Sequence, residues 1–454
     1  MRAPFSAALW TSLFVLAVGC GGKNGDDDDD DGPDACVGIE CQVVNCGAMG
    51  LPNTAITGTV FAPNGTLPLA GVTVYVNRDP LPPFVEGATC DRCSTTLPGA
   101  AIAQATSDAA GNFRLDNVPA GDNIPLVITT GKWRRQVTIS TVNQCEDNQV
   151  GAAETRLPKN RTEGDIPRIA ITTGNADTME CLVRKLGVED SEIGKEGDER
   201  RIHLYHGNGT ASFAGGFAGG SGDLTEATPF WANVDTLKTY DITILSCEGQ
   251  QRANTKPQEA LNAMKAYADL GGRVFASHWH NIWVSGHFEG SGDGQSPPVW
   301  DTLGTWNNGN NFNNPITDVI DEVSNPKGMI FADWMVNVMG STVRGELPVE
   351  EARTTNVTID TTRVEQWVFT KGGNENGQNV PANRAQMFQY TTPIEVTPDQ
   401  RCGKVVFTDM HVSGSPVNLN PYPGHCVGGN DLTPQEKALA FMFFDIASCV
   451  GGLF

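Results

Sequence analysis

The sequence is short of histidine and short of positive charge. Seven histidines stand in 454 residues and none lies between residues 54 and 142, so imidazole chemistry is confined to the rest of the chain. Lys and Arg number 31 against 53 Asp and Glu, a net charge of −22. No basic stripe is available to neutralise phosphates, which excludes a nucleic-acid partner. After the first twenty residues no segment is long and apolar enough to span a bilayer. What is abundant is glycine (51) and proline (27), which predict many turns. The length allows two or three domains, each able to bury a full core.

At the N-terminus Arg2 precedes an apolar run, Ala7 to Val18, that ends in Leu16-Ala17-Val18-Gly19-Cys20. The run is short for a membrane span and has the charge, apolar core and small-residue exit of a secretory signal. A cysteine directly after Ala-Val-Gly resembles the lipobox of bacterial lipoproteins. By that resemblance residues 1–19 are removed and Cys20 carries the lipid; the alternative is a plain secretory signal that ends near a cysteine. The acidic stretch that follows, Gly21 to Asp34, holds seven Asp against one Lys. It can bury nothing and repels itself, so it reads as an extended tether rather than a calcium loop, which needs rigid ligand geometry. Residues 20–53 are therefore tether and Cys-rich lead-in. The implied location is the bacterial envelope, lipid-anchored and most simply at the outer membrane, with the membrane itself as one partner through Cys20.

Export makes disulfides plausible. With Cys20 set aside eleven cysteines remain, six from Cys36 to Cys145 and five from Cys181 to Cys449. The first group can pair fully within itself, and the second leaves at least one thiol over. Cys90 and Cys93 have the spacing of half a zinc site or a redox pair, but in an exported loop they read as structural disulfides.

Residues 54–150 have the period of β-strands. Ile56 to Phe61, Val72 to Val76, Gly111 to Leu115 and Pro125 to Thr129 alternate or run apolar, with Pro63-Asn64-Gly65 as a turn signal. Their spacing predicts a β-sandwich. The order of Ile56-x-Gly58-x-Val60, Pro68-Leu69-Ala70-Gly71-Val72-x-Val74, Thr106-x4-Gly111-x-Phe113-x-Leu115 and Val118-Pro119-Ala120-Gly121 resembles the carboxypeptidase regulatory-like family. That resemblance implies a transthyretin-like sandwich over about residues 54–142, non-catalytic, with Pro80 to Pro98 inserted between strands.

After a polar linker, 151–165, the pattern changes. Apolar strands are predicted at Ile166 to Thr173, Asp241 to Ser246, Arg273 to Ser277 and Lys404 to Thr408, with further candidates at Val364 to Thr370 and Met387 to Thr391. Helices are predicted at Thr178 to Leu186, Pro257 to Leu270, Met329 to Met339 and Lys437 to Ser448. The last has Thr433, Pro434 and Glu436 as cap, first-turn proline and acid. Strands alternating with helices predict a doubly wound, mostly parallel sheet over 166–454, with a loop-rich insertion around 284–345.

Three of these strands end in polar residues: Cys247-Glu248-Gly249, His278-Trp279-His280 and Asp409-x-His411. In a parallel sheet they emerge at one carboxyl edge, where such sheets place their sites. Gly271-Gly272, the strand and His278 resemble the ThuA-like group of the class I glutamine amidotransferase-like fold, a flavodoxin-like arrangement. In the amidotransferases a G-x-C-x-G turn holds the nucleophile. Here the turn is Ala276-Ser277-His278-Trp279-His280, so His278 takes the nucleophile's place. Leu245 to Gly249 corresponds to the oxyanion loop and His411 to the catalytic histidine, while Ser413 stands where the triad acid is expected. Glutamine amidotransferase activity is not expected on these residues.

Three uses of the edge compete. A hydrolase or sugar-directed enzyme would use His278 or His411 as general base with Cys247 or Glu248 assisting, and Cys247 as nucleophile would have to be the unpaired thiol. A zinc-like ion would take His278, His280, His411 and Asp409 or Glu248, provided a turn begins between His278 and His280. A binding or scaffold protein would keep the histidines as a hydrogen-bonded cluster, and this reading, without a cofactor, is the one favoured here. His203 and His206 read as loop residues. Trp279, Trp283, Trp300, Trp306 and Phe312 cluster near the site; exposed, they would stack on glycan, and packed, they would build the core or loop base. A glycan or an envelope protein is the partner such a surface suits.

Overall fold

Side chains that alternate between buried and exposed organise the first part of the protein. The computed structural model describes residues 36, 38–287, 299–412, 419–426, 429 and 431–451. Cys20, the acidic run and Ser413 lie outside the described residues. Seven strands come first: β1 (Ala55–Thr59), β2 (Thr73–Asn77), β3 (Ala101–Thr106), β4 (Asn112–Asp116), β5 (Gly121–Thr130), β6 (Trp133–Val142) and β7 (Asp147–Gln149). They form two sheets, β4–β1–β7 and β3–β2–β5–β6. Strand β4 buries Phe113 and Leu115 and exposes its other three residues, the period of a half-buried strand. Its apolar face shares one core with Ile56, Val74, Leu126 and Ile128.

A second, larger sheet follows. Its strands are β8 (Ile169–Thr172), β9 (Ile202–His206), β10 (Ile242–Leu245), β11 (Arg273–Ser277), β12 (Ile316–Ile320), β13 (Glu346–Val349), β14 (Glu365–Thr370), β15 (Ala385–Thr392) and β16 (Gly403–Thr408). Their order is β9–β8–β10–β11–β16–β15–β14–β12–β13, with the two-residue strand Thr225–Glu226 beside β9. From β9 to β16 every pairing is parallel; from β16 to β13 every pairing is antiparallel. The expected mostly parallel sheet is therefore a mixed one. The described part of the expected insertion, 284–345, supplies β12 to this sheet.

The parallel strands read as continuous apolar runs because both of their faces are covered. In β11, Val274 and Ala276 point to a layer that includes Leu261, Met264 and Tyr267 of helix Gln258–Asp269, while Phe275 joins the opposite layer. That opposite layer holds helices α1 (Met179–Lys185), α2 (Gly328–Asn337) and α3 (Pro434–Ala447). Helix α3 starts at a capping box: Thr433 accepts from the Glu436 amide and the Glu436 carboxylate accepts from the Thr433 amide.

The same helix ties the two halves together, since Gly38–Phe454 forms one compact unit. Trp133 of β6 packs edge-on against Phe443 and Phe444 of α3, with centroids 6.1 and 5.9 Å away. Disulfides join Cys46 to Cys145, Cys90 to Cys402, Cys93 to Cys449 and Cys181 to Cys426; Cys36 and Cys41 are disulfide-bonded too. The grouping expected from sequence is corrected here, because Cys90 and Cys93 cross to the second half. Among the described residues Cys247 is the free thiol. No helix among them is long and apolar enough to cross a membrane.

Candidate functional site

The registers of the parallel strands decide what meets at the carboxyl edge. Leu245 of β10 lies opposite Ala276 of β11, and Ala276 opposite Phe407 of β16. Cys247, His278 and His411 follow these positions by two to four residues, so they leave three adjacent strands at the same level. Their side chains converge. Cys247 Sγ lies 3.4 Å from His278 Nδ1, and His411 Nε2 lies 3.1 Å from the same nitrogen. All three residues are buried.

The turns that deliver them are built for close approach. His278 has φ +42°, in the left-handed region that costs a non-glycine residue about 1–2 kcal/mol. The strain sits at the first residue of the 3₁₀ turn His278–Asn281, where a strand is bent sharply to aim one side chain. Gly174, after β8, has no room for a side chain: a Cβ there would stand 2.1 Å from the Cys247 carbonyl oxygen. Asp177 joins the two histidine-bearing turns. Its Oδ2 accepts from the Ser277 hydroxyl at 2.5 Å, and its Oδ1 accepts from the Val412 amide at 3.0 Å. Burial pushes this carboxyl up to about 7, against the pull of those hydrogen bonds. Sequence reasoning did not single out Asp177; its position at the end of the first parallel strand was the available signal.

Burial dominates the electrostatics. It pushes the Cys247 thiol up to about 12, opposed by the amides of Trp279 and Gly249, which donate to the sulfur. Burial holds His278 well below the ordinary imidazole value, with His411 and Arg353 adding to the effect. His411 is held down to about 3 by burial and by Arg353. Both rings are therefore neutral at pH 7, and a neutral imidazole offers a lone pair.

The other candidate residues are engaged elsewhere. His280 Nε2 donates to the Ser246 carbonyl at 2.9 Å and its Nδ1 accepts from the Trp283 indole N–H at 2.9 Å. The turn begins at His278, directly after the strand ends at Ser277, and His280 binds other partners. Asp409 accepts from the Thr355 hydroxyl at 2.7 Å and from the Thr355 amide at 2.8 Å. Glu248 forms a buried ion pair with Lys256, whose ammonium also lies 4.5 Å from the Trp231 ring centroid. Lys256 and Arg353 carry no local sequence signal of these roles.

His203 and His206 sit in strand β9 rather than in a loop. His203 is held between the Tyr240 hydroxyl at 2.7 Å and Asp198 at 3.1 Å; His206 is 3.1 Å from Glu226. Of the aromatic cluster, Trp283, Trp300 and Phe312 are buried in the core, and Trp279 and Trp306 are half-buried. A cleft of about 560 Å³ lined by Lys195, Asp198, Arg200 and Phe217 lies on other elements.

No family model and no curated protein matches the chain. Solved structures that align with part of it include an N-terminal and a C-terminal interface mutant of a type II cohesin–X-dockerin complex from Acetivibrio cellulolyticus. Each is 15% identical; the alignments cover 30% and 32% of this chain and 85% and 78% of those chains, with TM-scores of 0.17 and 0.15. At such scores the likeness carries no argument about fold or function.

Proposed function

We propose that the protein is an envelope lipoprotein, anchored through Cys20, that works as a non-catalytic binding or scaffold protein on an amidotransferase-like fold. A transthyretin-like sandwich stands ahead of that fold and acts as its spacer. Support for the second half comes from the strand order β9–β8–β10–β11–β16, the 2-1-3-4-5 order of flavodoxin-like sheets. Support for the first comes from seven strands in sheets of three and four around one core. The observation that carries the non-catalytic reading is the turn after β11. Its strained first residue is an imidazole, and the one free thiol among the described residues lies just past the neighbouring strand, buried, where burial pushes it up to about 12. A nucleophile must be a thiolate with access to substrate. The partner is a glycan or an envelope protein.

The contact of Cys247 with His278 favours one second reading, a hydrolase in which His278 takes the thiol proton, Cys247 attacks an acyl or glycosyl centre, the leaving group departs with that proton from His278, and water then hydrolyses the thioester or thioglycoside. Alkylation separates the two. Iodoacetamide at pH 8 is expected to leave Cys247 unmodified in the native protein and to label it fully after unfolding, read by peptide mass spectrometry. Rapid labelling of native Cys247 would overturn the binding reading in favour of a thiol enzyme. The anchor has its own test: cells fed radioactive palmitate should label the wild type and not Cys20→Ala. Equal labelling of the two would remove the lipid from that residue.

A further inference from the structure

We propose that Cys247, His278 and His411 form a binding site for one zinc- or copper-class ion. The proposal stands on three side chains and holds whether or not the fold serves binding or catalysis. The first argument is distance. Tetrahedral zinc with sulfur at about 2.3 Å and nitrogen at about 2.0–2.1 Å sets its donors about 3.5 Å apart for S···N and about 3.3 Å apart for N···N. The two contacts here are 3.4 Å and 3.1 Å. One donor atom from each of the three residues falls within 4.8 Å of the others. An ion enters such a group with small shifts of side chains whose backbones are already in place.

Donor type and surroundings agree. One thiol and two imidazoles select late first-row ions over calcium or magnesium, which take oxygen. The sulfur already accepts two backbone N–H groups, from Trp279 and Gly249, the pattern that stabilises a thiolate. Asp177 pins the residues on either side of the ligands, Ser277 before His278 and Val412 after His411, so the two rings are oriented from outside the donor set. The chain also leaves this sulfur unpaired while the other described cysteines are all disulfide-bonded. A second group, Cys181, His425 and Cys426, has the composition of a metal site but not the chemistry, because its two sulfurs are bonded to each other.

Binding is written Cys247–SH plus a hydrated ion giving Cys247–S–metal, one proton released to solvent and waters displaced by the two ring nitrogens; no electron is transferred. Three protein ligands leave one position open on zinc and a complete trigonal set on copper. The thiolate and two neutral rings offset one positive charge of the ion.

The test uses the full-length protein, with its disulfides intact, stripped with chelator and then dialysed against one equivalent of zinc(II), copper(I) or cobalt(II) in separate arms. Elemental analysis should return one zinc or one copper per chain, and cobalt should add a thiolate charge-transfer band. Retention of zinc alone or copper alone assigns the ion. Cys247→Ser should weaken retention at least about hundredfold and abolish the cobalt band. His278→Asn should do the same while keeping a residue that tolerates left-handed backbone, and it stands in if the serine variant does not fold. A wild-type protein that retains no ion in any arm overturns the proposal. So does a folded Cys247→Ser or His278→Asn variant that retains the ion as the wild type does.

Discussion

Lys256→Met is expected to destabilise the protein by about 3–5 kcal/mol, the cost of removing one partner from a buried ion pair. The ammonium of Lys256 and the Glu248 carboxylate are both buried and face each other in direct contact. Burial holds the Lys256 ammonium below its ordinary pKa, and Glu248 opposes that pull without cancelling it. Methionine fills the aliphatic volume and keeps the contact with the Trp231 ring but leaves the carboxylate with no counter-charge. The carboxylate then takes up a proton or draws in water, and either costs more than the original pair gained. Glu248→Gln in the Lys256→Met background removes the stranded charge, so the double variant should recover about 2 kcal/mol of the loss. Guanidinium unfolding followed by tryptophan fluorescence measures both, and Trp231 reports locally. A double variant no more stable than the single one would mean that the packing of Lys256, not its charge, supports this turn.

That pair was out of reach of the sequence, and the reason is general for this site. Cys247, His278 and His411 are readable as a group because each is a polar residue directly beyond an apolar strand, and parallel strands present such residues along one edge. Whether a residue at that edge is free to act depends on partners that lie far off in the chain. Glu248 is neutralised by Lys256, Asp409 is occupied by Thr355, and His280 is tied to Ser246 and Trp283. None of these partnerships leaves a periodic or spacing signal.

The fold divides in the same way. Arg273–Ser277 and the start of helix α3 are legible to the residue, because a Gly-Gly helix end and a capping box are local chemistry. Strand β3, Ala101–Thr106, was not anticipated, since an alanine-rich run has low β-propensity and its pairing with β2 holds it in place. Strand β6 was missed for its arginines, Arg134 and Arg135, whose charges find Asp165 and backbone carbonyls of the 151–165 segment. Of the antiparallel half of the large sheet, the sequence predicts β14 and β15 as isolated strands and neither β12 nor β13. The β14–β15 connection, 371–384, is rich in Asn and Gly, which mark where a chain reverses but not which strand it joins, and β12 reaches β13 through helix α2.

Removing the Cys93–Cys449 disulfide with paired serines is expected to cost about 2–5 kcal/mol, and the position of its neighbour determines what happens next. Cys90–Cys402 lies three residues away at one end and closes nearly the same span of chain, 312 residues against 356. With either bond intact, the other closes only a remainder of roughly 50 residues, for which chain entropy gives about 4 kcal/mol. With both removed, the full span opens, and the Pro80 to Pro98 segment has no covalent tie to the second half. Non-covalent contacts remain, among them the pairing of Arg92 with Val450, the Cys93 amide donating to the Val450 carbonyl at 3.1 Å, Arg92 donating to the Arg401 carbonyl at 2.8 Å, the Ala88 amide donating to the Lys238 carbonyl at 2.9 Å and the Arg201–Glu86 ion pair at 2.9 Å. The loss from removing both should therefore exceed twice the loss from removing one. Denaturation midpoints of the two single-bond variants and the variant lacking both, all under oxidising conditions, provide the comparison. Losses below about 1 kcal/mol for every variant would show that packing of Trp133 against Phe443 and Phe444 holds the halves together without the clasp.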